Sequence, residues 1–206
     1  MNLINIFCTL SVILFSTVLH AASHQGSLVK EDFDKAIEHV EKMRYFDAFQ
    51  IFSDLAGKSV PEAQYNLALL YSNGLGAPKN YKLALYWSWQ AHLNDHETAL
   101  ERVTATYDLI NEDLRNTVAQ LIIDELLVTA AAGDKASPLK LGKTYLGLFV
   151  EAQNQPAYLW LSIAQAYGDE TASGLLEKAA TQLTLEEVLL QQEEAHKTFQ
   201  SILDGH

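Results

Sequence analysis

The feature that most constrains the fold of this chain is a joint between expected helices that recurs at spacings of 37, 39 and 35 residues. The four joints are Leu55–Gly57, Ala91–Asn94, Ala131–Gly133 and Ala164–Gly168. Each places alanine in the last turn of a helix and then Gly or Asn, which best tolerate the left-handed conformation after a helix. A period in the mid-thirties, with two helices in each period, predicts an all-α solenoid of stacked αα-hairpins.

The best-preserved period, residues 61–91, shows how such a hairpin packs. Both of its expected helices carry a face of small and aromatic residues at helical spacing: Ala63, Leu67, Ala68 and Tyr71 on the first, and Ala84, Trp87 and Ala91 on the second. The small residues let the two backbones approach, and the aromatic residues fill the space beside them. The glycines and proline of residues 73–78 suit the turn between the helices.

A later period repeats the same pattern residue by residue. The matching residues on its first helix are Leu141, Gly142 and Tyr145, and those on its second helix are Ala157, Trp160 and Ala164. With 13 residues from the tyrosine to the next alanine in residues 61–91, the pattern resembles the Sel1-like repeat, a relative of the tetratricopeptide repeat with a longer inter-helix loop. The family is identified by residues 61–99 and 133–172 above all.

The resemblance implies a right-handed αα-hairpin superhelix with a C-terminal capping helix. We expect one domain over residues 30–206, with units at about 30–57, 58–94, 95–133 and 134–168 and a cap at 169–206. The third unit lacks the glycine loop and the aromatic pair, so we expect it to be helical but degenerate. Thr184, with Glu187 three residues later, predicts the start of the long last helix.

The first 22 residues resemble a secretory signal peptide. Residues 1–19 are almost wholly apolar, and the small residues that follow suit cleavage near Ala22. Cys8, the one cysteine, lies in this segment, so the mature chain would have no disulfide. An exported protein without disulfides is more typical of a bacterial periplasm than of animal extracellular space. We expect a periplasmic protein; the alternative is an uncleaved segment that anchors it in the membrane.

The net charge of −12 bears on the choice of partner. A strongly acidic protein repels nucleic acid and anionic membrane surfaces, and no cluster of Lys and Arg offsets this charge locally. We therefore expect no nucleic-acid binding and no membrane contact beyond the signal segment. A protein or peptide partner remains compatible with the composition.

The sequence offers few candidates for chemistry. His92 and His96 lie four residues apart, a spacing at which two histidines can share a metal ion. The zinc-peptidase motif needs a glutamate directly after the first histidine, and Leu93 stands there. We interpret both histidines as solvated. Adjacent carboxylates such as Glu112 and Asp113 fall at expected helix starts, where the helix dipole favours them. We predict no catalytic residue, no metal and no cofactor.

The resemblance also implies a binding surface, because tetratricopeptide-like domains usually bind through the first helices of their repeats. Carried over by register, the partner-binding positions are Glu62, Tyr65, Leu69 and Ser72 in the second unit and Leu139, Lys143 and Leu146 in the fourth. Trp89 is a further candidate, since it lies about 200° around its helix from Trp87. It either packs against the neighbouring unit or forms an exposed anchor.

These features predict a non-enzymatic protein-interaction module, expected to be a monomer. The sequence is also compatible with two other functions. One is an envelope enzyme, or a regulator of one, that acts on peptidoglycan; it would need Glu97, Glu101 and His96 to converge in a pocket. The other is a structural protein that self-associates through the open ends of the solenoid.

Overall fold

The computed structural model describes residues 26–205, and the regular structure in this range is entirely helical. The expected signal peptide lies outside the described residues. The helices are α1 (26–41), α2 (Tyr45–Gly57), α3 (Pro61–Asn73), α4 (Tyr81–Leu93), α5 (Ala99–Tyr107), α6 (Glu112–Ala131), α7 (Ser137–Gly147), α8 (Asn154–Ala166), α9 (Ala172–Ala180) and α10 (Leu185–Asp204). The predicted all-α solenoid is confirmed. Between residues 26 and 205, no helix combines the length and apolarity that a membrane crossing requires.

The four joints between units, and the turn between α1 and α2 inside the first unit, share one backbone geometry. A residue with positive φ ends each of them, and the following residue donates its N–H to the carbonyl five positions earlier, as in a Schellman motif. The positive-φ residues are Met43 (57°), Ser59 (60°), Asp95 (64°), Gly133 (79°) and Gly168 (90°). The donor–acceptor pairs are Arg44–His39, Val60–Leu55, His96–Ala91, Asp134–Thr129 and Asp169–Ala164.

Two joints differ from the prediction in their left-handed residue. Gly57 is the last residue of α2, and Ser59 takes the left-handed conformation instead. Asn94 has φ of −103°, and Asp95 after it is left-handed. The prediction that Gly or Asn takes the left-handed conformation was therefore wrong at two of four joints, because Gly57 is still helical and Asn94 keeps a negative φ.

The α3–α4 and α7–α8 pairs form equivalent hairpins. Their matched alanines, Ala84, Ala91, Ala157 and Ala164, are fully buried. The loop of each hairpin is closed by the same hydrogen bond, from Asn80 N–H to Tyr71 O at 3.0 Å and from Gln153 N–H to Tyr145 O at 2.9 Å. The correspondence read from the sequence is therefore a correspondence of packing and of backbone geometry.

The third unit departs from a simple hairpin, as its degenerate sequence predicts. α5 packs against α4, whereas α6 packs against both α4 and α7. Ile122 and Ile123 of α6 join Leu85 of α4 and Leu141 of α7 in one buried cluster. This arrangement brings α7, the first helix of the fourth unit, next to the end of α4. Trp89 and Asn94 form hydrogen bonds to α7 at this contact between the two helices.

The tryptophans are distributed differently from the prediction. Trp89 is only 1% exposed, and its indole N–H donates to Thr144 Oγ1 of α7 at 3.0 Å. Its assignment to the partner-binding surface is wrong, because α7 covers that side of α4. Trp87 is half-buried against the cluster formed by α1, α2 and α3. Trp160 is buried, as its repeat position predicts.

The last helix begins with the predicted cap. Thr184 Oγ1 accepts the N–H of Glu187, whose carboxylate accepts the N–H of Thr184, so the capping box is complete. α10 packs on α8 through Gln191, Ala195 and Ile202. Its first-turn Leu185 is 75% exposed and does not contribute to the core.

Candidate functional site

The most elaborate polar arrangement among the described residues surrounds the α4–α5 joint. There the end of α4 and the joint lie between side chains of α3 and α7. We call this group the joint cluster; its members are Gln64, Tyr65, His92, Asn94, Asp95, His96, Lys140 and Lys143. Its members come from the second unit, from the first two residues of the third unit, Asp95 and His96, and from the fourth unit.

A chain of amide hydrogen bonds fixes the centre of the joint cluster. Gln64, which is 2% exposed, donates from Nε2 to the carbonyl oxygen of Ala56 at 3.2 Å. Its Oε1 accepts from Asn94 Nδ2 at 2.9 Å, and Asn94 Oδ1 accepts from Lys140 Nζ at 2.7 Å. Each amide uses both ends, so neither can rotate without losing a bond. The chain therefore holds the Lys140 ammonium at a fixed place.

The two lysines of the joint cluster have different environments. Burial lowers the pKa of Lys140 below the usual range, although the negative charges of Asp134 and Asp95 act in the opposite direction. Lys143 forms an ion pair with Asp95, with Nζ 3.5 Å from Oδ1. The Lys143 side chain is 20% exposed and that of Asp95 is 86% exposed, so this pair lies at the solvent edge. Such exposed pairs contribute little free energy.

The histidines are not solvated in the way that the sequence led us to expect. His92 is half-buried, and its ring lies 4.9 Å from the ring of Trp89. Burial lowers the pKa of His92, helped by the charge of Lys143 and opposed by that of Asp95, and this favours the neutral imidazole. The ring of His96 stacks on that of Tyr65, with centroids 4.3 Å apart and an interplanar angle of 9°.

The stack leaves one polar atom without a partner. His96 Nδ1 is buried and has no hydrogen-bond partner within the described part of the chain. Over the same residues, no group of three His, Cys, Asp or Glu side chains has the geometry for a metal ion. The stacked rings of Tyr65 and His96, both partly exposed, lie beside the charged and amide groups of the cluster.

The structure brings two of the predicted partner-binding residues together and separates the others. Tyr65 and Lys143 both belong to the joint cluster. Glu62 is exposed on the first turn of α3, and Leu69 and Ser72 lie farther along that helix, with Ser72 Oγ donating to Ala68 O at 2.9 Å. Leu139 and Leu146 are partly buried against α8 and α9. The role of all these residues remains a prediction.

Three central members of the joint cluster were not predicted as functional residues from the sequence: Gln64, Asn94 and Lys140. Gln64 directly precedes a predicted surface residue, and Asn94 was assigned to the joint for its backbone alone. A polar side chain beside the buried Ala63 of α3 was the available signal, since a buried amide needs partners. Nothing in the local sequence indicates that α7 supplies one of them.

Comparisons with protein families and with solved structures both find proteins that are similar to this chain. The Sel1 repeat family model matches residues 21–43 and 61–88. A protective antigen of uropathogenic Escherichia coli with an SLR fold is similar over 91% of this chain and 48% of its own, at 18% identity and a TM-score of 0.37. A Sel1 repeat protein from Oxalobacter formigenes is similar over 74% of this chain and 79% of its own, at 18% identity and a TM-score of 0.26. No curated protein matches the sequence.

This chain therefore spans about half the length of the Escherichia coli antigen.

Proposed function

We propose that this protein, a helical solenoid that carries Sel1 repeats, is a non-enzymatic module that binds a protein or peptide in the bacterial periplasm. Sel1 repeats are generally protein-interaction modules. The apolar segment before Ala22 and the lack of cysteine after Cys8 support the periplasmic location. The partner contacts the joint cluster.

One observation carries this proposal: Tyr65 and Lys143, from two units, meet at the α4–α5 joint through His96 and Asp95. A surface built from two separate units is rigid only if the solenoid between them is packed. The buried contact of Trp89 with Thr144 supplies that packing. A rigid surface whose aromatic stack and hydrogen-bonded polar side chains are already ordered loses little conformational entropy on binding.

The arrangement favours binding over catalysis. Glu97 and Glu101 are exposed, and His96 lies against Tyr65. General acid–base catalysis needs carboxylates held in a cleft with their pKa values pushed apart. We therefore do not assign a reaction to these residues, and the solenoid serves as a scaffold for recognition.

Affinity capture from envelope extracts tests the proposal. The intact protein is compared with Tyr65→Ala and with Phe46→Ala, which removes an aromatic ring that is 61% exposed on α2. We expect Tyr65→Ala to bind the partner about thirtyfold more weakly and to recover correspondingly less of it, since an aromatic anchor contributes roughly 2 kcal/mol. Phe46→Ala should recover it normally. Equal yields from all three proteins would refute the role of the joint cluster.

Location and oligomeric state are tested separately. Cell fractionation and N-terminal sequencing should place the protein in the periplasm with its first residue near Ala22 or Ser23. Full-length protein in the membrane fraction would contradict a cleaved signal. Light scattering over a concentration series should give a constant monomer mass, and a mass that rises with concentration would favour self-association.

A further inference from the structure

We infer that Lys140 and Lys143 form a carboxylate-binding site, so the partner presents a single carboxylate group to the joint cluster. The inference rests on the proposed function and specifies its ligand chemistry. It combines a half-buried ammonium that is held in place, a second ammonium on the same helix face, and an exposed counter-ion that a ligand can displace.

Lys140 supplies the fixed charge. An ammonium has three N–H donors. Within residues 26–205, Lys140 Nζ has one hydrogen-bond acceptor, Asn94 Oδ1 at 2.7 Å, and no carboxylate within ion-pair distance. Asn94 in turn is held by Gln64. The ammonium is therefore oriented by a neutral amide, and two of its donors have no acceptor. Asp134 and Asp95 act on its charge from beyond ion-pair distance.

Lys143 supplies the second charge. It lies three residues after Lys140 on α7, so the two side chains share one face of the helix. Its partner Asp95 is 86% exposed and sits at the edge of the cluster. A ligand carboxylate that reaches Lys143 exchanges a weak exposed pair for a more buried one.

The overall negative charge of the protein favours a ligand that carries few negative charges. At a net charge of −12, a polyanionic segment is repelled over a distance of about 10 Å, the Debye length at moderate salt. A single carboxylate on an otherwise uncharged peptide meets little of that repulsion and can still contact both lysines. The partly exposed rings of Tyr65 and His96 provide apolar contact area for the uncharged part of such a peptide.

Nuclear magnetic resonance of the intact mature protein tests the site with small probes. The probes are N-acetylalanine, which has a free carboxylate, N-acetylalaninamide, which has none, and inorganic phosphate. Titration should shift the side-chain amide resonances of Asn94 and Gln64 saturably with N-acetylalanine and leave them in place with N-acetylalaninamide. Equal shifts from both compounds, or tighter binding of phosphate, would overturn the inference.

Variants assign the effect to the lysines. Lys140→Met and Lys143→Met keep most of the unbranched side chain and remove the charge, and each should weaken the binding of N-acetylalanine about tenfold. Lys178→Met, at an exposed position near the end of α9, is the matched control and should bind normally. If Lys140→Met fails to fold, the binding of N-acetylalanine by Lys143→Met, at the more peripheral position, tests the site alone. Unchanged binding in the folded variants would overturn the inference.

The source of the carboxylate is resolved with two peptides of equal length. One ends in a free C-terminal carboxylate and has no acidic side chain, and the other is amidated and contains one internal glutamate. Binding of either supports the site, and the preferred one identifies the source. Should neither peptide bind while partner capture still depends on Tyr65, the carboxylate inference fails and the proposed function stands.

Discussion

The loop between α3 and α4 offers a sharp test of how the first two units are joined. A Cβ atom placed on Gly76 would lie 2.3 Å from the carbonyl oxygen of Tyr45 and 2.8 Å from Cβ of Phe49, both in α2. Gly76 also has a positive φ of 73°. We predict that Gly76→Ala strongly destabilises the protein, because the loop must move away from α2 to make room.

The magnitude follows from two contributions. A left-handed backbone costs an alanine roughly 1 kcal/mol. Overpacking adds about 1–3 kcal/mol, at the upper end here because the nearest atom belongs to the backbone and cannot rotate away. The free energy of unfolding should fall by roughly 2–4 kcal/mol, which for a chain of this size lowers Tm by roughly 5–15 °C.

Gly74→Ala is the matched control. Gly74 has nearly the same φ, 70°, but its nearest atom is Lys79 Cβ at 3.3 Å. It should lose only about 1 kcal/mol, because it meets the backbone penalty with little steric overlap. Thermal and urea unfolding followed by circular dichroism measure both variants. Equal losses from Gly74→Ala and Gly76→Ala would refute the close approach of the loop to α2.

Three further predictions test other parts of the structure. Arg115→Lys should lower the free energy of unfolding in urea by about 2 kcal/mol, since the guanidinium donates to three backbone carbonyls at the end of α7 and an ammonium cannot match that fork. Gly142→Ala should cost about 1–3 kcal/mol in the same assay, because its Cβ would lie 2.5 Å from the Leu161 side chain. Burial raises the pKa of Tyr86 to about 12, so wild-type stability should fall between pH 10 and 12, where the phenol of the unfolded chain loses its proton first. Over the same pH range, Tyr86→Phe should lose less stability than the wild type.

Each of these has a contradicting result. An Arg115→Lys variant as stable as the wild type would mean that the carbonyls at the end of α7 are satisfied without the guanidinium. A neutral Gly142→Ala would show that α7 and α8 are not in close contact. An identical alkaline stability profile for Tyr86→Phe would show that this phenol is not shielded from water.

The sequence predicts the fold well where packing is local. The alanines of the two regular hairpins, such as Ala84 and Ala157, are buried as predicted. Small residues at helical spacing allow the two helices of a hairpin to approach closely. The predicted Sel1-like resemblance is confirmed by the family match to residues 61–88. The cap at Thr184 also follows from a pattern of four residues.

The sequence predicts less where distant elements meet. Trp89 and Trp87 are two residues apart, and periodicity alone places them on different faces of α4. Which face is buried depends on α7, which contacts α4 across the irregular third unit. Asn94 and Lys140 are joined by the same approach. A contact across 46 residues leaves no local pattern, so the joint cluster could not be predicted from spacing.

Site-specific photo-crosslinking is the most direct test of the claim that the partner binds at the joint cluster. A photoreactive phenylalanine analogue replaces Tyr65 in one variant and Phe46 in another, and both are irradiated in intact cells. We predict a specific crosslinked partner from position 65 that is reduced by Lys140→Met and absent from position 46. A partner crosslinked from position 46 and not from position 65, or no adduct from position 65, would contradict the account.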